Sequence, residues 1–120
     1  MERVFGGELF ELIGKKKYFS EFESCYITYN LLKALKYLHG FGIMHRDLKP
    51  ENILVELNQT KDHVITLKLI DFGIACMVKE DGAVNDSCGT LSYVAPEVLK
   101  KKWYNAKADM WSVGVVVFTM

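Results

Sequence analysis

Apolar positions change their period along the chain, and each change marks an element. Residues 7–14 (GELFELIG) read as a short helix, followed by a lysine-rich turn at Lys15, Lys16 and Lys17. The stretch SEFESCYITYNLLKALKYLHG then predicts a long amphipathic helix, with Phe22, Cys25, Tyr29, Leu32 and Leu35 at helical spacing. Ser20 and Glu23 stand in capping-box relation at its start, and Gly40 is a natural terminator. The β-rich runs NILVEL and VITLKLIDF, with the polar NQTKDH between them, predict a hairpin. Residues 73–95 have no period and read as a long loop, a length more often functional than not inside a compact domain. A short helix at Pro96–Leu99 follows, then WYNAKADMWSVGVVVFTM. Its final helix is apolar nearly all round, the pattern of a buried core helix. No internal repeat or low-complexity segment interrupts this order.

Composition narrows the class. Half the residues are apolar, and 15 basic side chains balance 15 acidic ones, as in a soluble globular protein. Zero net charge without a basic tract argues against nucleic acid or a membrane surface as partner. The longest apolar run, Val113 to Met120, falls short of the roughly 18–20 residues that span a bilayer. Glu2 and Arg3 interrupt any signal-peptide core. Cys25, Cys76 and Cys88 have no metal-ligand spacing and read as reduced thiols, which places the chain in the cytoplasm or nucleus. Both ends read as cut, so a fragment is expected.

The candidate chemistry centres on MHRDLKPENILVE, residues 44–56, where Asp47, Lys49 and Asn52 crowd beside a hydrophobic run. A solvated loop is the ordinary reading of such a cluster. What argues against it is order: HRD-x-K-x-x-N, a hairpin, DFG at 71–73, a long loop closing at APE (95–97), then Asp109 opening the apolar helix. DFG or APE alone is a weak signal; the ordered set resembles the C-terminal lobe of eukaryotic protein kinases over the whole chain. The resemblance implies an α+β, protein-kinase-like fold, a mainly helical C-lobe fragment with a small β-hairpin. Residues 1–120 would run from the hinge through the catalytic and activation loops to the start of the central buried helix. The N-lobe, with its Gly-rich loop and lysine, and the last C-lobe helices would be absent. Such a fragment alone is expected to be inactive.

Phosphoryl transfer demands placement and charge neutralisation more than covalent chemistry. The resemblance makes Asp47 the catalytic base and Lys49 the cation on the transferring phosphoryl group. Asn52 and Asp71 become magnesium ligands, supplying the hard oxygens that ion prefers. ATP would be the phosphate donor. Met1 falls at the gatekeeper position, Glu2 and Val4 would bond the adenine through the backbone, and Glu8 would face the ribose. For Leu9 and Leu54, contact with adenine and plain core packing compete. Glu8 and Glu51 would receive arginine upstream of the acceptor on a protein substrate, while Thr119 stands where some relatives carry a further acid. His45 reads as a core histidine under Phe72, Gly73 as a flexible loop entrance, and Gly6-Gly7 as a bend rather than a phosphate loop. Thr90 with Lys49 points to serine/threonine specificity. GGELFE, LIDFGIA and YVAPEV look most like the calcium/calmodulin-dependent group, whose calmodulin or regulatory segment would lie outside this chain. Asp86 occupies the place of a phosphorylatable threonine and is expected to pair with Arg46. Glu97 is expected to lack its partner arginine here. The alternative reading is a pseudokinase or non-catalytic scaffold.

Overall fold

A computed structural model describes residues 6–58, 64–78 and 82–120. In chain order the elements are β1 (Gly6–Glu8), α1 (Leu9–Lys15), α2 (Glu21–Gly40) and β2 (Ile43–Met44), then a 3-10 turn (Pro50–Asn52). β3 (Ile53–Leu57), β4 (Val64–Leu69), β5 (Cys76–Met77), α3 (Pro96–Leu99) and α4 (Lys107–Phe118) complete it. The architecture is α+β, helices against small antiparallel sheets. One sheet has the order β1-β3-β4, and the other pairs β2 with β5.

The hairpin forms as the sequence predicts, with Ile53 opposite Leu69 and Leu57 opposite Val64. Its third strand was not foreseen. Gly7 and Glu8 extend along β3 instead of opening the first helix, which begins at Leu9. Gly6 permits this approach: a Cβ there would sit 1.8 Å from the Val55 carbonyl oxygen. Gly6 is thus a site of close strand pairing, not merely part of a bend.

α2 starts on the expected capping box, with Ser20 Oγ accepting from the Glu23 amide and Glu23 from the Ser20 amide. Its buried face is Ile27, Leu31 and Leu35, and of the predicted stripe only Leu35 belongs to it. Phe22 and Tyr29 are 78% and 60% exposed. Aromatic and aliphatic residues surround this helix, so spacing alone names several faces; packing on β4 and α4 selects one. The helix includes Gly40, and the left-handed turn that reverses the chain falls on Gly42, at φ 70°.

α4 also departs from expectation. Ala108, Asp109, Ser112, Val113 and Val116 are buried, whereas Met110, Trp111 and Phe118 are exposed among the described residues. Hydropathy all round does not decide which side is covered, and the covered side here carries two polar residues with partners. Among the described residues no helix is long and apolar enough to cross a membrane.

Candidate active site

The site is built on a strained loop held by one buried carboxylate. Arg46 has φ 69°, a left-handed conformation that costs a non-glycine residue about 1–2 kcal/mol. Asp109, 1% exposed on the first turn of α4, offsets this strain. Its Oδ2 accepts from the His45 amide at 3.0 Å and its Oδ1 from the Arg46 amide at 2.9 Å. His39 Nε2 lies 2.8 Å from Oδ2. A helix end, a loop and a second helix therefore share one buried acid.

His45 is fully buried, with its ring centroid 4.9 Å from that of Phe72, as expected of a packing residue. Its Nδ1 faces the Asp47 amide at 3.3 Å and so accepts; Nε2 then carries the proton toward the Ile70 carbonyl at 3.0 Å. The imidazole is neutral in this arrangement and joins the Asp47 loop to the end of β4.

Asp47 sits inside a ring of donors. Thr90 Oγ1 donates to its Oδ1 at 2.6 Å. Asn52 Nδ2 donates to its Oδ2 at 3.1 Å and to its carbonyl at 2.9 Å. Lys49 Nζ lies 3.2 Å from Oδ2 and donates to Thr90 Oγ1 at 2.8 Å. Burial pushes the Asp47 carboxyl up, but the bonds from Thr90, Lys49 and Asn52 outweigh it, and the group sits below the usual carboxylate range. Asp47 is accordingly ionised at neutral pH.

Asp71 is placed differently. It is exposed, has φ 60°, and accepts from the Gly73 amide at 3.2 Å. The special backbone conformation thus belongs to Asp71 rather than to Gly73, whose freedom the sequence had suggested. The Ile70 amide bonds the Asn52 carbonyl at 3.0 Å, which brings Asp71 to the same end of the hairpin as Asn52. Asn52 commits its amide nitrogen to Asp47, so its carboxamide oxygen is the atom suited to a cation. That oxygen and the Asp71 carboxylate are each donors of the hard type that magnesium takes.

The remaining candidates divide. Leu9 is wholly buried in the main core with Leu12, Ile27 and Leu31, so it has no surface for adenine and the core-packing reading holds. Leu54 is half-buried on the sheet face opposite Ile53 and Val55, across from Glu8 in β1. Glu8 is half-buried. Among the described residues, one Glu51 carboxylate oxygen is buried without a hydrogen-bond partner. It lies near Tyr93, whose phenol is raised by burial and next by the Glu51 charge. Thr119 turns its hydroxyl back onto the Val116 carbonyl at 2.6 Å. Met1, Glu2 and Val4 lie outside the described residues.

The long loop folds back on the HRD loop at Arg46. Arg46 Nε donates to the Ile74 carbonyl and Nη1 to Asp86 Oδ2, each at 2.6 Å, so the expected Arg46–Asp86 contact is present. Glu97 makes no ion pair among the described residues. Gly89, at φ 97°, passes so close that a Cβ would lie 2.6 Å from the Arg46 carbonyl oxygen. Two working residues escaped the sequence reading in their full role. Asp109 appeared only as the acid that opens a helix, although a lone acid among apolar neighbours signals a buried acceptor. Tyr104, hydrogen-bonded to Asp86, gave no signal.

Comparison with known proteins shows the family. The family described as protein kinase domain matches residues 1–120. The chain is 41% identical over all 120 residues to myosin light chain kinase A of Dictyostelium discoideum. It is 44% identical over the same span to serine/threonine-protein kinase DCLK1 of Rattus norvegicus, and 45% identical to a serine/threonine-protein kinase of Drosophila persimilis. It covers 40%, 27% and 16% of these relatives, respectively. With a family match along its whole length and these relatives, the chain belongs to the protein kinase domain family.

Proposed function

We propose that this chain is the catalytic segment of an ATP-dependent serine/threonine protein kinase, covering the hinge, catalytic loop, activation segment and first part of the central helix. The observation that carries the reading is the ring around Asp47: an ionised carboxylate, an ammonium and a threonine hydroxyl bonded to one another in one half-buried cluster. A carboxylate held below its usual range is a weak base, suited to orienting a hydroxyl and accepting its proton late in the transfer. The acceptor oxygen bonds to the γ-phosphorus as the bond to the β-phosphate oxygen breaks; ADP leaves and the hydroxyl proton passes to Asp47. Lys49 neutralises charge on the group in flight, and Thr90 keeps both side chains aligned. Magnesium, held by Asn52 and Asp71, would neutralise the phosphates. Leu54 and Glu8 would face the nucleotide, with Glu2 and Val4 contributing backbone bonds.

Glu51, with its unpaired buried oxygen, supports a site for a substrate cation, and hence a preference for arginine upstream of the acceptor. The relatives' names agree with the serine/threonine class, and the motif details favour the calcium/calmodulin-dependent group. The test is phosphate transfer from labelled ATP by the full-length protein to serine, threonine and tyrosine peptide libraries. We expect transfer to serine and threonine, enriched for upstream arginine. No transfer, or transfer to tyrosine alone, would overturn the reading.

A further inference from the structure

Tyr104 lies between α3 and α4, outside every motif, and is 5% exposed. Its backbone and its side chain hold the same short stretch of the long loop. The Val84 amide donates to the Tyr104 carbonyl and the Tyr104 amide to the Val84 carbonyl, each at 2.9 Å. Beyond that bridge, Tyr104 Oη donates to the Asp86 carbonyl at 2.7 Å. A phenol has one proton to give. With it on Asp86, the oxygen's lone pairs face Arg46 Nη1 at 3.4 Å and Cys88 Sγ at 3.6 Å. The same Nη1 binds Asp86 Oδ2. Tyr104 thus touches both members of the Arg46–Asp86 pair and the chain beyond it.

The burial of the partners decides which bond does the holding. The Asp86 side chain is 58% exposed, and an exposed ion pair is weak and screened by salt. The Tyr104 ring is buried with Val98, Ala95 and Ala108, and its bond to the Asp86 backbone carbonyl is half-buried, less open to water than the ion pair. Burial, reinforced by the Cys88 contact, also raises this phenol, so it remains a donor at neutral pH.

We infer that Tyr104 is a positioning residue for the activation segment: its hydroxyl fixes Asp86 against Arg46 and thereby seats the downstream Thr90 on Asp47 and Lys49. The consequence for catalysis rests on the kinase reading; the holding of the segment does not.

Hydrogen exchange on the full-length protein separates the two. Tyr104→Phe keeps the ring and deletes the hydroxyl. Exchange over residues 84–90 is expected to rise about tenfold, the upper end for losing one hydrogen bond, with α2 and β3 unchanged. The variant's segment should loosen further with added salt, since of the bonds to Asp86 only the exposed pair remains beside the Val84 backbone bridge, while the parent responds little. Its kcat should fall by a similar factor with KM for ATP unchanged. Asp86→Ala, an exposed change, should keep segment exchange within about threefold of the parent because the carbonyl bond survives. Unchanged exchange in Tyr104→Phe would overturn the assignment. If Tyr104→Phe does not fold, Asp86→Ala decides alone: a rise within threefold supports the phenol as holder, and a larger rise assigns the holding to the ion pair and overturns it. A parent that transfers no phosphate sinks the kinase reading, while exchange still settles Tyr104.

Discussion

Asp47 and Asp71 are both acids of the candidate site, yet their surroundings differ. Asp47 is half-buried, bonded by Thr90, Asn52 and Lys49, and held below the usual carboxylate range. Asp71 is exposed, accepts one amide bond, from Gly73, among the described residues, and is kept near Asn52 by backbone geometry. The protein completes the environment of the group proposed to handle a proton. It leaves open the one proposed to meet a cation, because a metal ligand needs unsatisfied lone pairs. Placement without saturation is what distinguishes them.

The comparison is sharpest in substitutions that keep shape and remove charge. In the full-length protein Asp47→Asn is expected to lower kcat by about 10²–10⁴, the range for losing a positioned acid–base group, with ATP affinity nearly unchanged. Asp71→Ala is expected to lose productive magnesium–ATP binding while leaving thermal stability close to that of the parent. Steady-state kinetics, nucleotide titration and melting curves measure both. Equal loss of ATP affinity in the two variants would erase the distinction.

Next in size is Asp109, which resembles Asp47 in being saturated but acts on the backbone. Asp109→Ala strands the His45 and Arg46 amides and removes what holds Arg46 in its left-handed conformation. At about 1–3 kcal/mol for each buried amide left unpaired, the loss of stability should reach about 2–6 kcal/mol. Denaturant unfolding of the full-length protein checks it. A loss below about 1 kcal/mol would mean the loop keeps its shape without this acid.

The smallest effect concerns Asp86, exposed like Asp71 but paired. The Arg46 bond holds its carboxyl below the usual range. A depressed carboxylate contributes where it is ionised, so the pair persists above that range and is lost only as pH falls through the lowered value. No limb from Asp86 is therefore expected in activity between about pH 6 and 8. Phosphatase-treated parent should remain active, and Asp86→Ala should cost about two- to fivefold, the range for an exposed pair. A hundredfold loss would transfer the holding role from Tyr104 to Asp86, and a parent silenced by phosphatase would end the idea of a built-in acidic contact.

Much of this molecule was legible in local chemistry. Ser20 and Glu23 announced the start of α2, and two β-rich runs around a polar turn announced the hairpin, because caps and strand pairing depend on near neighbours. The order of Asp47, Lys49, Asn52 and Asp71 named the candidate site for a related reason: residues on one loop and the strands after it have few ways to diverge. Asp86 opposite Arg46 was implied by the kinase resemblance at NDSCGT, and the contact formed. Where apolar residues surround a helix, the sequence was silent on direction. It chose the wrong face of α2 and overstated the burial of α4, since which side is covered depends on what packs there. Leu9 could have met a ligand or the core, and only its burial with Ile27 and Leu31 decided.

What the sequence by itself determined is therefore the set of elements and the chemical inventory of the site, both governed by short-range forces. The tertiary structure alone decided which acid would be saturated and which left open. It also decided that Asp109 would hold the loop, and that Tyr104 would reach Asp86 across the fold. Those outcomes depend on hydrogen bonds between residues far apart in the chain, whose partners are chosen by burial rather than by spacing.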